Sequence, residues 1–401
     1  MLDRPHARDA WLDPEGGEPA DLLAMQERAS LPDLAPGAAE IVRGVPIYDA
    51  ARIERDDART VMAQWAHVLL DGAGVFAVRG AIRDRALLDE VTGTLLDLIA
   101  KEAEGTGGGG DHFAAAGSNA RLWNAHEKLA RAAPAAFCRY MDCPTVHRAS
   151  EAWLGPGYQI TAQVNLVRPG GKAQTGHRDY HMGFQRADAL ARYPAHVHRM
   201  SPLLTLQGAI AHTDMPIESG PTKLLPGSQH HRGGYLHFPR ADFQSHFEAH
   251  HVQVPLQAGD ALFFSPALFH AAGENTTADH ERMANLFQVS SAYGRPMEWL
   301  DRAAMIRAVF PELRRLRDEL GPEGTARVIA ATADAYPFPT DLDRDPPVGG
   351  MAPASQADIM AEAVADGWDA SRLAGALRAH GEKRGTAGET RGMDGETRGM
   401  A

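Results

Sequence analysis

The stretch YQITAQVNLV, residues 158–167, constrains the fold of this 401-residue chain more than any other. Ile160, Ala162, Val164 and Leu166 alternate with Thr161, Gln163 and Asn165, so an extended segment here has one apolar and one polar face. Further strand candidates follow at 203–212, 221–225, 251–255, 260–264 and 282–290, separated by Gly and Pro turns in ESGP, LPGS and QAGD. Many short strands punctuated in this way predict an antiparallel double sheet, a jelly-roll core spanning 154–295.

Helical patterns flank that core. Residues 51–153 carry apolar residues at three- and four-residue spacing on both sides of the strand-like GVFAVRG. Residues 296–380 return to the same spacing, with Pro311 expected to break or kink a helix, and Ser355 with Asp358 reads as a capping box. The class is therefore α+β, mainly β with helical flanks. Residues 1–50, rich in Pro, Gly and Asp, read as an irregular arm. The stretch 381–401, which contains GETRGM twice, reads as a disordered tail. The run GTGGGGDHF at 105–113 lacks the Lys-Ser/Thr ending of a phosphate-binding loop, and its glycines at 105–110 suit a mobile lid instead.

Composition excludes several classes. A net charge of −12 leaves no dedicated nucleic-acid surface, because phosphate binding needs clustered Lys and Arg. Cys138 and Cys143 are too few for a disulfide framework or a zinc finger, so reduced structural thiols are expected. The first residues, MLDRPHARDAWLDPEGG, have no apolar run, and no stretch is long and apolar enough for a membrane helix. A cytoplasmic protein acting on small molecules fits these absences; the oligomeric state is not legible.

In QTGHRDYHMGF, residues 174–184, His177, Asp179 and His181 occupy alternate positions and would share one face of an extended chain. They are either metal ligands or the polar face of a surface strand. A His-x-Asp pair joined by a distant histidine would make a 2-His-1-carboxylate triad, which leaves positions open on a ferrous ion. Of the 19 histidines, His270 has the most suggestive context, at the end of the apolar GDALFFSPALFHAAGEN. Arg282 opens the next strand, where a guanidinium could pair with a carboxylate or form a structural salt bridge.

Taken in order, HRD at 177–179, GPTKLLPGSQH at 220–230, and GDALFFSPALFHAAGEN followed by Arg282 resemble the phytanoyl-CoA dioxygenase family of iron(II)- and 2-oxoglutarate-dependent oxygenases. The resemblance covers 158–291. It implies that His177, Asp179 and His270 bind Fe(II), that Arg282 anchors the far carboxylate of the co-substrate 2-oxoglutarate, and that O₂ takes the remaining position. It also implies hydroxylation of a small-molecule metabolite, with 2-oxoglutarate converted to succinate and CO₂. Gln163, with Asn165 and Thr161, is expected to help hold the co-substrate. Related halogenases replace the carboxylate ligand by a small residue, so the retained Asp179 favours oxygenation. Ala272 stands where the family often has a hydroxyl.

His181 and Tyr180 are expected to contact substrate, Phe184 to pack in the core, and Arg178 to point away from the metal. The histidine-rich QHHRGGYLH, 229–237, reads as a solvated loop. Two other classes remain: a cupin-type isomerase or hydrolase using the same ligands, and a noncatalytic small-molecule binding protein.

Overall fold

A computed structural model of the chain describes residues 10–106, 119–336, 338, 341–349 and 351–384. Its strands are β1 (Glu40–Val42), β2 (Val45–Asp49), β3 (Val75–Arg79), β4 (Asn119–Leu122), β5 (Gln159–Val167), β6 (Thr205–Ala211), β7 (Lys223–Leu224), β8 (Ala261–Phe264), β9 (His270–Ala271) and β10 (Arg282–Ser290). Eight form one sheet in the order β1-β2-β3-β8-β6-β10-β5-β4, antiparallel except for the β2–β3 pair. The remaining pair, β7–β9, is extended by single bridges between His177 and His270 and between Leu224 and Val252.

Along the chain, pairing segments switch between the two ladders. Residues 159–167 join the large sheet and 177 the small one. Then 205–211 is large, 224 and 252 small, 261–264 large, 270 small and 282–290 large.

The period of two at β5 is realised as read. Ile160, Ala162, Val164 and Leu166 join Leu206, Ile210, Phe263, Met283, Phe287 and Val289 in the main core. That face packs on helices including Ala58–Leu70, Pro134–Met141 and Arg302–Thr332, which bring Trp65, Phe137 and Leu313. Trp65 stacks on Phe76 of β3 with ring centroids 4.8 Å apart. The opposite face of the same strands is left to line a cavity.

Several expectations are corrected. The arm at 1–50 is not irregular throughout: Asp21–Ala29 is a helix, and β1 and β2 extend the large sheet, because Val45, Ile47 and Tyr48 are all buried. Pro311 does not break its helix, since flanking Val309, Phe310 and Leu313 hold that turn in the core. The break falls at Gly321, with φ 66° and ψ −178°, where Pro322 disfavours the helical region for the residue before it. The 229–237 segment is not a solvated loop. His231 and His237 are buried, bonded to each other at 2.8 Å, and His237 Nε2 donates to Asp13 O at 2.8 Å. Strand 251–255 reduces to the Val252 bridge. Within 51–153, expected to be helical around one strand, Asn119–Leu122 is instead the edge strand β4, paired with β5, and the helix Ala241–His250 stands in the stretch expected to hold only strands and turns.

Other readings hold. Cys138 and Cys143 are free and buried, and the Ser355–Asp358 capping box forms. Among the described residues no helix is long and apolar enough to cross a membrane. Residues 107–110 of the glycine run, and both GETRGM copies, lie outside the described residues.

Two outcomes follow from the packing. A Cβ on Gly234 would fall inside the buried Arg178 guanidinium, so Gly234→Ala forces that side chain or its backbone to move. We expect a loss of about 1–3 kcal/mol in denaturant unfolding; an unchanged midpoint would show that the guanidinium is not seated there. Burial also pushes His126 to about 4 and His147, His212 and His231 to about 3. Because these folded-state values lie below that of a free histidine, the unfolded chain takes up protons first as pH falls. Stability is therefore full above about pH 6.5 and drops below it, by up to about 1.4 kcal/mol per pH unit for each such group. His212→Asn should flatten the slope between pH 6.5 and 5 by roughly that amount, and parallel slopes would contradict this account.

Candidate metal centre and pocket

The cavity-facing positions of the large sheet form rows across the register. Gln163 pairs with Leu286, which pairs with Ala209; Asn165 pairs with Ala284, which pairs with Ala211; Gln288 pairs with Gln207. Together with Arg282, Leu262 and Phe264 they line a cavity of about 540 Å³. Alanines in the middle of these rows leave the space that larger residues would fill.

His177, Asp179 and His270 reach the same cavity from the small ladder, with one candidate ligand atom from each lying within 4.8 Å of the others. His177 N donates to His270 O at 2.9 Å and His270 N to His177 O at 3.1 Å, which sets the two imidazoles side by side, centroids 4.5 Å apart. Each ring donates its Nδ1 hydrogen to a carbonyl two residues back, His177 to Thr175 O at 2.8 Å and His270 to Leu268 O at 2.9 Å. The Nε2 lone pairs are thereby turned toward Asp179, at 3.9 Å from Oδ1 and 3.5 Å from Oδ2 respectively.

Asp179 is held by its own bonds. Its N–H donates to Pro266 O at 3.0 Å, its carbonyl accepts from Tyr235 OH at 2.7 Å, and its Oδ2 accepts from Gln207 Nε2 at 2.6 Å. Burial alone would raise this carboxyl, but His270, His177 and Gln207 bring it down to about 2. Burial and the neighbouring His270 lower His177 below the usual histidine range. Near neutral pH the set therefore offers a carboxylate with a neutral His177 imidazole beside it.

Arg282 is 6% exposed and lines the cavity, and burial brings its guanidinium down to about 10, still charged near neutral pH. Among the described residues no carboxylate pairs with it. A buried cation without an acid calls for an anionic ligand.

Other sequence candidates divide. Gln163 and Asn165 line the cavity. Thr161 does not; its hydroxyl donates to Gln288 O at 2.9 Å, and Gln288 takes its place in the wall. His181 is absent from the wall, because only His177 pairs with a neighbouring strand and the chain then turns, with His181 at φ 36°. Tyr180 is buried and reaches the cavity only through Met297, whose sulfur accepts from its hydroxyl at 3.0 Å. Phe184 is 60% exposed at the rim rather than in the core. Arg178 points away as expected, its guanidinium over Phe269 and Tyr235 and bonded to Ser228 O. Ala272 lines the cavity.

Gln207, Arg121, Trp123 and Met297 were not singled out from sequence. Gln207 had a signal, as the polar residue inside LLTLQGAIAH. Arg121, Trp123 and Met297 lie on segments with no pattern to mark them.

Among curated proteins, the chain is 28% identical over 152 residues to dioxygenase andF of Emericella variicolor, covering 36% of this chain and 47% of that protein. It is 32% identical over 145 residues to dioxygenase cdmD of Talaromyces verruculosus, covering 36% and 43%. It is 30% identical over 156 residues to the iron/alpha-ketoglutarate-dependent dioxygenase ausU of Aspergillus calidoustus, covering 38% and 44%. The chain thus spans less than half the length of these relatives. Among solved structures, the non-heme alpha ketoglutarate dependent epimerase SnoN from nogalamycin biosynthesis is 18% identical, with 58% of this chain and 82% of that one covered and a TM-score of 0.41. The family model for phytanoyl-CoA dioxygenase matches residues 70–284, a span that takes in β3 through the start of β10 and all three residues of the His-Asp-His cluster. With more than half of its length matched, the chain belongs to the phytanoyl-CoA dioxygenase family.

Proposed function

We propose that this protein is an iron(II)- and 2-oxoglutarate-dependent oxygenase that hydroxylates a small molecule. The observation that carries the reading is the convergence of His177, Asp179 and His270 in one cavity with Arg282, a buried cation for which the described residues provide no carboxylate. Two imidazoles and one carboxylate suit ferrous iron and leave positions open for a chelating co-substrate and O₂. The family membership and the relatives named as dioxygenases support the same reading.

In this reading His177, Asp179 and His270 hold the metal, and Arg282 takes the far carboxylate of 2-oxoglutarate as a bidentate partner. Bound iron, with 2-oxoglutarate and O₂, would supply the oxidising chemistry, and the co-substrate would leave as succinate and CO₂. The chain's own work is orientation. The carbonyls of Thr175 and Leu268 fix both ring tautomers, and Gln207 fixes the Asp179 carboxylate. Asn165 and Gln288 offer buried amide oxygens to whatever enters. Leu256, Leu262, Phe264 and Met215 give the cavity an apolar wall.

Anaerobic addition of Fe(II) and 2-oxoglutarate should give the weak visible band of the chelate, and Asp179→Ala should lose it together with bound iron. Arg282→Met should keep iron yet weaken 2-oxoglutarate by about 2–5 kcal/mol, roughly thirtyfold or more. Wild-type co-substrate affinity in that variant would assign the anchor elsewhere. Gln207→Leu keeps the bulk but removes the donor to Asp179, and iron affinity should fall about ten- to hundredfold in a chelator competition. If it stays at the wild-type value, the carboxylate is held by other groups.

A further inference from the structure

We propose that Gln288 reads a hydrogen-bond donor on the substrate, so that the pocket selects small, largely apolar molecules carrying a hydroxyl or a neutral N–H group, an inference that rests on the oxygenase reading above. The side-chain amides that line the cavity differ in what they already hold. Gln163 is engaged at both ends, its Oε1 accepting from Arg121 Nη1 at 3.0 Å and its Nε2 donating to Met297 Sδ at 3.3 Å. Gln174 Oε1 accepts from Ala272 N at 3.2 Å, and Gln207 gives its Nε2 to Asp179 Oδ2. Gln288 is different. It is 6% exposed, and among the described residues its Oε1 has no hydrogen-bond partner. A carbonyl oxygen of this kind can only accept, so the partner that satisfies it is a donor. An apolar side chain would avoid the cost of an orphaned oxygen, as Leu286 does on the same face.

Register decides which ligand Gln288 meets. Arg282, Ala284, Leu286 and Gln288 follow one another along the cavity face of β10, and the first and last stand about 20 Å apart on an extended strand. A co-substrate anchored at Arg282 and turned toward the candidate ligands passes Ala284 and Ala211, whose small side chains leave room for it. Asn165, whose Oδ1 is also without a partner among the described residues, pairs with Ala284 and so faces that path. Gln288 stands at the opposite end. It pairs with Gln207 of β6, and Gln207 pairs with Phe264 of β8. Gln207 is bonded to Asp179, and the Phe264 ring lies 4.8 Å from that of His270, centroid to centroid. One row of side chains thus joins Gln288 to the neighbours of two of the three candidate ligands. A substrate donor bound at Gln288 would lie beside the reacting centre and off the co-substrate's path. The acceptor is a neutral amide and cannot offset a buried positive charge, which favours a hydroxyl or uncharged N–H over an ammonium. The apolar wall suits the rest of the molecule.

The test uses the full chain loaded anaerobically with Fe(II) and saturating 2-oxoglutarate, first confirmed by the chelate band. Cyclohexanol, indole and thymol are titrated by calorimetry beside methoxycyclohexane, N-methylindole and thymol methyl ether, which keep the body of each molecule and lose its donor. At least one donor should bind roughly tenfold or more tightly than its methylated partner. Gln288→Met, which keeps the length of the side chain, should erase that difference, and Gln288→Glu, which keeps an acceptor, should retain part of it. In Gln288→Met the 2-oxoglutarate affinity should be unchanged, and the denaturant midpoint of the unloaded chain should equal or exceed that of the wild type, because an orphaned amide has been removed. Equal binding within every pair, no binding by any donor, or a preference that survives Gln288→Met would overturn the proposal. A lowered midpoint in Gln288→Met would overturn it too, by making the amide a structural group. So would weakened 2-oxoglutarate in that variant, which would make Gln288 a co-substrate contact and leave the oxygenase reading standing. Absence of the chelate band in wild type would instead be a failure of that reading itself, and the proposal would fall with it.

Discussion

Two backbone hydrogen bonds, exchanged between His177 and His270, hold the candidate site together. These residues are far apart in sequence, and neither lies in a long strand. The pair fixes the separation of the imidazoles before any side-chain torsion is chosen. The Nδ1 bonds to Thr175 and Leu268 carbonyls then leave each ring one orientation that satisfies its buried donor. Asp179 follows two residues on, tied to Pro266 and Tyr235, while Arg178 between the two is driven to the other side and buried on aromatic faces. The cluster's geometry is therefore a property of the backbone ladder, which is more rigid than any set of side chains on loops.

The large sheet provides the complementary half by serving two environments at once. Its helix-covered face is filled with aliphatic and aromatic side chains, and burial of that area is the main stabilising contribution to the fold. Its other face keeps Gln163, Asn165, Gln207 and Gln288 beside alanines that leave room. The amide oxygens of Asn165, Gln207 and Gln288 are buried without a hydrogen-bond partner among the described residues. Such groups cost about 1–3 kcal/mol each when left dry, so this face is built to receive polar ligand or water. The stability of the core face carries that cost, which is a common division between scaffold and site.

How far the sequence could be read depended on where a signal was local. β5 and β10 were legible because a strand between two environments writes its period into consecutive residues, and 282–290 was bounded as found. The cluster was legible because His-x-Asp, His270 and Arg282 stand in contexts that surface residues rarely have. Thr161 was misplaced although its alternation was right, because facing a site and opening into it differ by the length of a side chain and the reach of a neighbouring carbonyl. His181 was misplaced because alternation holds only while the strand is paired, and pairing ends at His177.

By itself the sequence determined the α+β class, the strand alternation, the ordered set of candidate ligands and the family resemblance. All of these depend on residues close together or on motifs in fixed order. Only the tertiary structure decided that Gln207 holds Asp179, that Arg121 and Met297 line the pocket, and that the histidines at 231 and 237 are buried. It also decided that the first fifty residues lend two strands to the large sheet. The physical reason is common to these cases: each depends on a partner from a distant segment, and local propensity carries no information about which backbone will arrive to satisfy a hydrogen bond or cover an apolar face.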